Sequence, residues 1–324
     1  MATRTDAFAH ATPPAFYEAM SDAHPTDELR NLYFEPLWDV DRRVRDMDDH
    51  GIDRQVLTLA NPPIWRGIAP EDALPLVRLA NDEIRAMADE HPDRLVPVAT
   101  LPFANEAYVA EFHRCVEELD MHGVQVFSNV DGRPVDSPGH MALYGAAADA
   151  GVPVWVHPQL HGWYDWLSEF ELHRTFGWPF DTTIAMARMV FGGVFERHPD
   201  LDVVCHHMGG MVPFFIGRVS TFFEARVNNP DLYPDFEAPD FSEPVREQFS
   251  RFVGDTVVGG EPASLECGRA VFGDDGVVFA TDYPFGPEGG RRFMRQAVDV
   301  VETIDDAGVR EAVFAGNAES MLRG

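Results

Sequence analysis

This chain of 324 residues contains no lysine. All 25 of its basic residues are arginine, set against 54 acidic ones, and the formal charge is −29. Basic clusters are missing, which excludes a nucleic-acid partner, because neutralising phosphates requires them. The three cysteines, Cys115, Cys205 and Cys267, are odd in number and widely spaced. They give neither a disulfide framework nor a cysteine-based zinc site. No apolar run reaches the ~18 residues of a membrane span, so no membrane partner is expected. Residues Met1 to Asp6 lack the apolar stretch of a signal peptide, and a cytoplasmic protein is expected. No glycine-rich phosphate loop follows an early strand, which argues against nucleotide binding.

The acid excess has a physical reading. Replacing lysine by arginine is what a GC-rich genome produces, but that exchange does not generate a charge of −29. Halophilic adaptation accounts for both features, since the Debye length of about 3 Å at 1 M salt screens self-repulsion. The hydrophobic content of 45% suffices for a sizeable core.

Eight strand-like runs recur with helical segments between them: Ala7–His10, Gln55–Leu59, Leu95–Ala99, Val124–Phe127, Val154–His157, Val203–His207, Phe252–Val257 and Val277–Asp282. The runs through Pro97 and Gly254 are the weakest, since proline lacks a ladder donor and glycine packs poorly. Leu76, Ala80, Ile84 and Met87 fall on one helical face behind Glu71 and Asp72, acids that suit a helix N-terminus. Thr182 is placed to cap a largely apolar helix over Ile184–Phe195. His91 and His198 each precede a proline and read as helix C-termini. The alternation predicts an α/β fold, a (β/α)₈ TIM barrel forming a single domain over residues 1–324. Two insertions interrupt it: an aromatic one over 160–180 after the fifth strand, and an acidic, proline-rich surface loop over 228–244.

Four of the runs end in a residue that can bind a metal or move a proton: His10, His157, His207 and Asp282. Barrel enzymes gather such strand-end residues at one mouth. Taken singly, His157 also fits a hydrogen-bonded core histidine. Asp282 closes a very apolar strand, where a carboxylate is costly to bury without a metal, a cation or several hydrogen bonds. His207 precedes Gly209 and Gly210, which let the backbone approach a ligand. If its strand persists, His206 points the other way, toward the surrounding helices. Arg66 follows an early strand and suits either a carboxylate ligand or the surface. Phe8 sits two residues before His10, where a second ligand would have pointed the same way.

These features occur inside longer blocks: Asp6 to Pro14, Gly123 to Val126 with Asn129 to Pro134, Pro153 to Pro158, Gly193 to Val219, Thr281 to Phe285 and Gly316 to Ala318. Through them the sequence resembles, nearly end to end, the amidohydrolase superfamily, in the branch typified by aminocarboxymuconate-semialdehyde decarboxylase. The resemblance implies metal ligands at His10, His157 and Asp282 and a catalytic His207 beside the metal. It implies a divalent metal, zinc or alternatively manganese, and by analogy a homodimer. Members of this branch usually open with His-x-His or Glu-x-His. Here Phe8 replaces the first ligand, so three of the usual protein ligands remain; His207 is a candidate fourth ligand, and a weakened or absent metal is an open alternative.

The implied activity is a non-oxidative decarboxylation of an aromatic or muconate-type carboxylic acid by a carboxy-lyase. Asp282 or His207 would deliver the proton, and Phe8, Trp163 and Trp178 would line the substrate site. Two alternatives stay open: a metal-dependent hydrolase of an amide, lactone or C–C bond, and a metal-free barrel that only binds small molecules. The charge reading has its own test. The thermal midpoint is expected to rise as salt increases from dilute buffer to about 1 M; a fold equally stable in dilute buffer contradicts it.

Overall fold

The computed structural model describes residues 3–60, 65–159, 165–237 and 239–322. Eight strands alternate with helices: β1 (Thr5–Ala11), β2 (Arg54–Leu59), β3 (Leu95–Pro97, resuming as Ala99–Thr100), β4 (Val124–Phe127), β5 (Val154–His157), β6 (Val203–Cys205), β7 (Phe252–Asp255) and β8 (Val277–Val278). Every neighbouring pair in this series is parallel. Backbone bonds from Ala7 N to Phe279 O (2.8 Å), Asp282 N to Phe8 O (3.1 Å) and His10 N to Tyr283 O (2.7 Å) join the chain after β8 to β1. The barrel therefore has no free edge, and the expected (β/α)₈ architecture is what the chain adopts.

Both weak runs are strands, each for a local reason. Pro97 lies where β3 changes partner: Leu95–Pro97 pairs with β2 and Ala99–Thr100 with β4. The missing donor falls at the hand-over, where it costs no ladder bond. Gly254 is a packing requirement, since a Cβ there would lie 2.8 Å from Met208 Sδ and 2.9 Å from the Phe272 ring.

Inside the barrel, Ala7, Phe8, Val56, Val96, Val98, Trp155, Val204, Val253, Val278 and Ala280 form one apolar cluster, joined by Ala318, Met321 and Leu322 near the chain's end. A larger cluster fills the layer between strands and helices. The β1–β2 register slips between Asp6 and Ala9, a bulge that breaks the alternation of β1. Ala7 and Phe8 consequently both belong to the inner cluster, and His10 faces inward beyond them. Trp155, fully buried, donates its indole N–H to Ala7 O at 2.8 Å. Asp6 braces the same bulge, accepting from Gln55 Nε2 (2.7 Å), Thr281 Oγ1 (2.5 Å), Thr281 N (3.0 Å) and Phe8 N (3.3 Å).

The helix expected around Leu76 to Met87 spans Pro70–Asp89 and buries Ala73, Val77, Ala80, Ile84 and Met87. The helix assigned to Ile184–Phe195 starts earlier and stops sooner, at Trp178–Phe191, with Pro179 in its first turn. Thr182 is therefore a buried residue inside that helix and not its cap, and Ile184 and Phe191 are exposed. Proline supplies the start signal that was assigned to the threonine. His198 does cap a helix C-terminus, that of Val194–Arg197. The described residues of the 228–244 segment are largely exposed and include a short 3₁₀ turn, Pro230–Leu232. Among the described residues, no helix is long and apolar enough to cross a membrane.

Burial raises the Asp6 carboxyl to about 6, against the pull of its hydrogen bonds. An acid raised in the folded state stabilises the fold below its unfolded pKa and loses that contribution as pH rises through the folded value. Asp6→Asn should therefore flatten the pH dependence. Between pH 4 and 7 the wild type should lose on the order of 3 kcal/mol more stability than the variant, read from denaturant midpoints.

Candidate active site

At the C-terminal mouth of the barrel, four strand ends bring four imidazoles and a carboxylate together. The liganding atoms of His10, His157 and His206 lie within 4.8 Å of one another, and those of His206, His207 and Asp282 do likewise. His10 Nε2 is 3.1 Å from Asp282 Oδ1, and His206 Nε2 is 3.4 Å from the same oxygen. Of the residues expected to meet here, His10, His157, His207 and Asp282 do so.

The hydrogen bonds fix how each ring presents itself. Thr58 Oγ1 donates to Ala9 O (3.0 Å), so it accepts from His10 Nδ1 (2.8 Å). His157 Nδ1 faces Pro158 O (2.8 Å), a carbonyl that can only accept. His206 Nδ1 donates to Asp255 Oδ2. All three Nδ1 protons are spent on outer partners, which turns every Nε2 toward the centre. His10 Nε2 is buried with no hydrogen bond of its own, because Asp282, although close, is out of line. Converging nitrogen lone pairs, one of them unpartnered, beside a buried carboxylate form a donor set that fits a divalent cation.

His206 corrects the expectation that it faces the helices. Along β6 the interior residue is Val204, whereas Val203 and Cys205 pack outward, so alternation carries His206 inward. The strand ends there, and His207 (φ 55°, ψ 45°) and Met208 (φ 53°, ψ 35°) adopt left-handed backbone. That turn keeps His207 at the mouth, 3.9 Å from the His206 ring and stacked at 6.5 Å on Trp178. Gly210 permits it, since a Cβ there would lie 2.0 Å from Pro179 O. Three consecutive apolar residues, Val203 to Cys205, hide the parity of β6 in the sequence.

Asp255 was also missed. It ends the apolar run Phe252-Val253-Gly254 much as Asp282 ends its own, and that was the available signal. Buried at the end of β7, it holds His206 and accepts from Met208 N and Val257 N, both at 3.1 Å.

Charge follows from these contacts. Burial opposes a charged His206, yet Asp255 and Asp282 outweigh it and raise the imidazole to about 10. Burial favours a protonated Asp282, but the imidazoles of His10 and His206 close beside it and the charge on His206 hold it well below the usual carboxylate range. Burial, reinforced by the His206 charge, lowers His207 to about 3. It also lowers His10, and with neighbouring His10 and His206 it lowers His157.

Phe8 closes the β1 side of this group with carbon, its ring centroid 4.3 Å from His206, 5.3 Å from His10 and 6.0 Å from His157. Trp178, half-buried, lies 6.3 Å from His157. Trp163 lies outside the described residues. The described part of the aromatic insertion is largely exposed, with Trp166 and Phe176 on the surface. Arg66 is exposed.

A family model described as Amidohydrolase matches residues 6–324. The chain belongs to the amidohydrolase family. This amidohydrolase-family chain is 32% identical over 288 residues to a 2-amino-3-carboxymuconate-6-semialdehyde decarboxylase of Dictyostelium discoideum, covering 88% of this chain and 77% of that one. It is 28% identical over 281 residues to a gamma-resorcylate decarboxylase of Rhizobium sp. (strain MTP-10005), covering 81% of each. Its fold matches a manganese-bound 5-carboxyvanillate decarboxylase of Novosphingobium aromaticivorans with a TM-score of 0.86 at 22% identity, covering 99% of this chain and 97% of that one. At that identity the structural match speaks for the fold of this amidohydrolase-family chain, and its chemistry has to be argued from the mouth.

Proposed function

We propose that this chain is a metal-dependent carboxy-lyase that decarboxylates an aromatic or muconate-type carboxylic acid without oxidation. One observation carries the reading: in a family member related to decarboxylases, three Nε2 atoms and a buried carboxylate converge, with every Nδ1 proton engaged elsewhere. His10, His157 and Asp282 are the proposed metal ligands. The imidazole-rich donor set suits zinc, with manganese as the alternative. The metal, when bound, supplies positive charge for the substrate's carboxylate or an adjacent oxygen.

The chain's own residues do the rest. Phe8 gives the site an apolar floor and Trp178 a flat wall, together suited to a planar unsaturated acid; Trp163 is proposed to add to that lining. Breaking the bond to the carboxyl group leaves its electron pair on the ring or chain carbon, and a proton must replace CO₂ there. His207, neutral and with Nδ1 buried and unpartnered, can give a proton from one nitrogen while taking one up on the other. Asp282 is the second candidate for that transfer. No electron acceptor is required.

The acidic surface argues against a nucleic-acid partner. A homodimer is supported by the helix Val212–Val227, which exposes Phe214 (77%), Phe215 and Phe222.

Protein purified in high salt without chelator should carry about one divalent metal per chain and release CO₂ from hydroxybenzoate- or muconate-type acids. Asp282→Asn should lose both. His207→Gln should keep the metal and lose about 100-fold or more in kcat. Acid production from amides or lactones without CO₂ would establish the hydrolase instead. For the dimer, light scattering should give twice the chain mass for the wild type and a monomer for Phe214→Asp; a monomeric wild type refutes it.

A further inference from the structure

Two histidines stand side by side at the end of β6, and the mouth treats them differently. His207 stacks on Trp178 at 6.5 Å and lies 3.9 Å from the His206 ring, with its Nδ1 unpartnered. His206 belongs to both groups of converging donors, the one with His10 and His157 and the one with His207 and Asp282. It is almost wholly buried, and its Nδ1 is bonded to the Asp255 carboxylate. Asp255 is itself immobilised by the N–H groups of Met208 and Val257. A carboxylate behind an imidazole is the usual support of a metal-ligating histidine, fixing its tautomer and strengthening its free nitrogen.

Across the barrel the situation is reversed. The bulge in β1 turns Phe8 into the mouth, where it faces His206 at a ring separation of 4.3 Å. That side of the donor set offers only carbon. A cation held by His10, His157 and Asp282 has two strand-end imidazoles and one carboxylate; His206 Nε2 lies 3.4 Å from Asp282 Oδ1, and His206, unlike His207, also belongs to the group with His10 and His157.

We propose that His206, held by Asp255, is a metal ligand of this chain and supplies from β6 the nitrogen donor that Phe8 denies the site on β1. Three imidazoles and one carboxylate then surround the cation, and His207 remains free for proton transfer. This rests on the reading that the site holds a divalent metal. It assigns His206 and Asp255 roles that do not depend on the reaction. Asp255 is a positioning residue, acting through His206.

The test is metal binding on the full chain, by titration with zinc and by the visible absorption of the cobalt-substituted protein. The wild type should bind about one equivalent. His206→Ala should weaken zinc binding by at least about 100-fold, and Asp255→Asn by about 10- to 100-fold, both with altered cobalt spectra. His207→Ala should retain wild-type affinity. The double variant Phe8→His with His206→Ala should regain much of the affinity, because the new imidazole starts from the facing side. Folding of each variant is checked by circular dichroism, and His206→Asn, which keeps a hydrogen bond to Asp255, replaces the alanine variant if that one does not fold. If the wild type binds zinc and His206→Ala or His206→Asn binds it equally well with an unchanged cobalt spectrum, the role of His206 is overturned while the metal-dependent reading stands. A wild type that takes up no metal overturns both.

Discussion

The carboxylate of Asp282 governs this molecule's mouth. It is almost fully buried at the end of the eighth strand, at a backbone angle of φ 60° that L residues rarely adopt. A charge in that position must be answered by opposite charge or by donors close at hand. His206 answers it with its Nε2 3.4 Å away, and His10 Nε2 lies 3.1 Å from the same oxygen. Asp255 adds a second buried carboxylate behind His206, so the pocket holds more negative charge than its neutral imidazoles can balance. A proton on His206 meets that demand in the bare protein, and a divalent cation meets it more fully.

The barrel interior is arranged to serve this centre. One extra residue in β1 sends both Phe8 and His10 inward, and Trp155 and Asp6 satisfy the backbone groups that the slip disturbs. Below the imidazoles lies a mainly apolar cluster, down to the residues near the chain's end that pack under it. The converging donors thus form one layer, with mostly carbon beneath it and the Trp178 ring beside it. Confinement of this kind strengthens every electrostatic interaction within the layer.

Much of this was legible in the sequence. Eight apolar runs separated by helical spacing defined the barrel, and His10, His157, His207 and Asp282 stood at strand ends where they do meet. Phe8 was recognisable as a non-ligating neighbour of His10. The orientation of His206 was not legible, because Val203, Val204 and Cys205 are all apolar and give no sign of which one faces in. Asp255 followed a glycine-containing run whose strand character depends on Met208 and Phe272 packing against it from elsewhere in the chain. Thr182 looked like a cap because capping chemistry is local, whereas the helix starts at Trp178 and Pro179, beside the mouth. In each case the missing information was a contact between distant segments.

The seam between β1 and the chain after β8 has a consequence for biogenesis. Asp6 bonds to Thr281, 275 positions further along the chain, and His10 meets Asp282 over a comparable span. Contacts this distant form late, since loop closure must precede any reward from them. A nascent chain emerging from the ribosome carries His10, His157 and His206 long before Asp282 exists to join them. The complete donor set is therefore a property of the finished barrel, and an incomplete chain lacks the carboxylate that closes it.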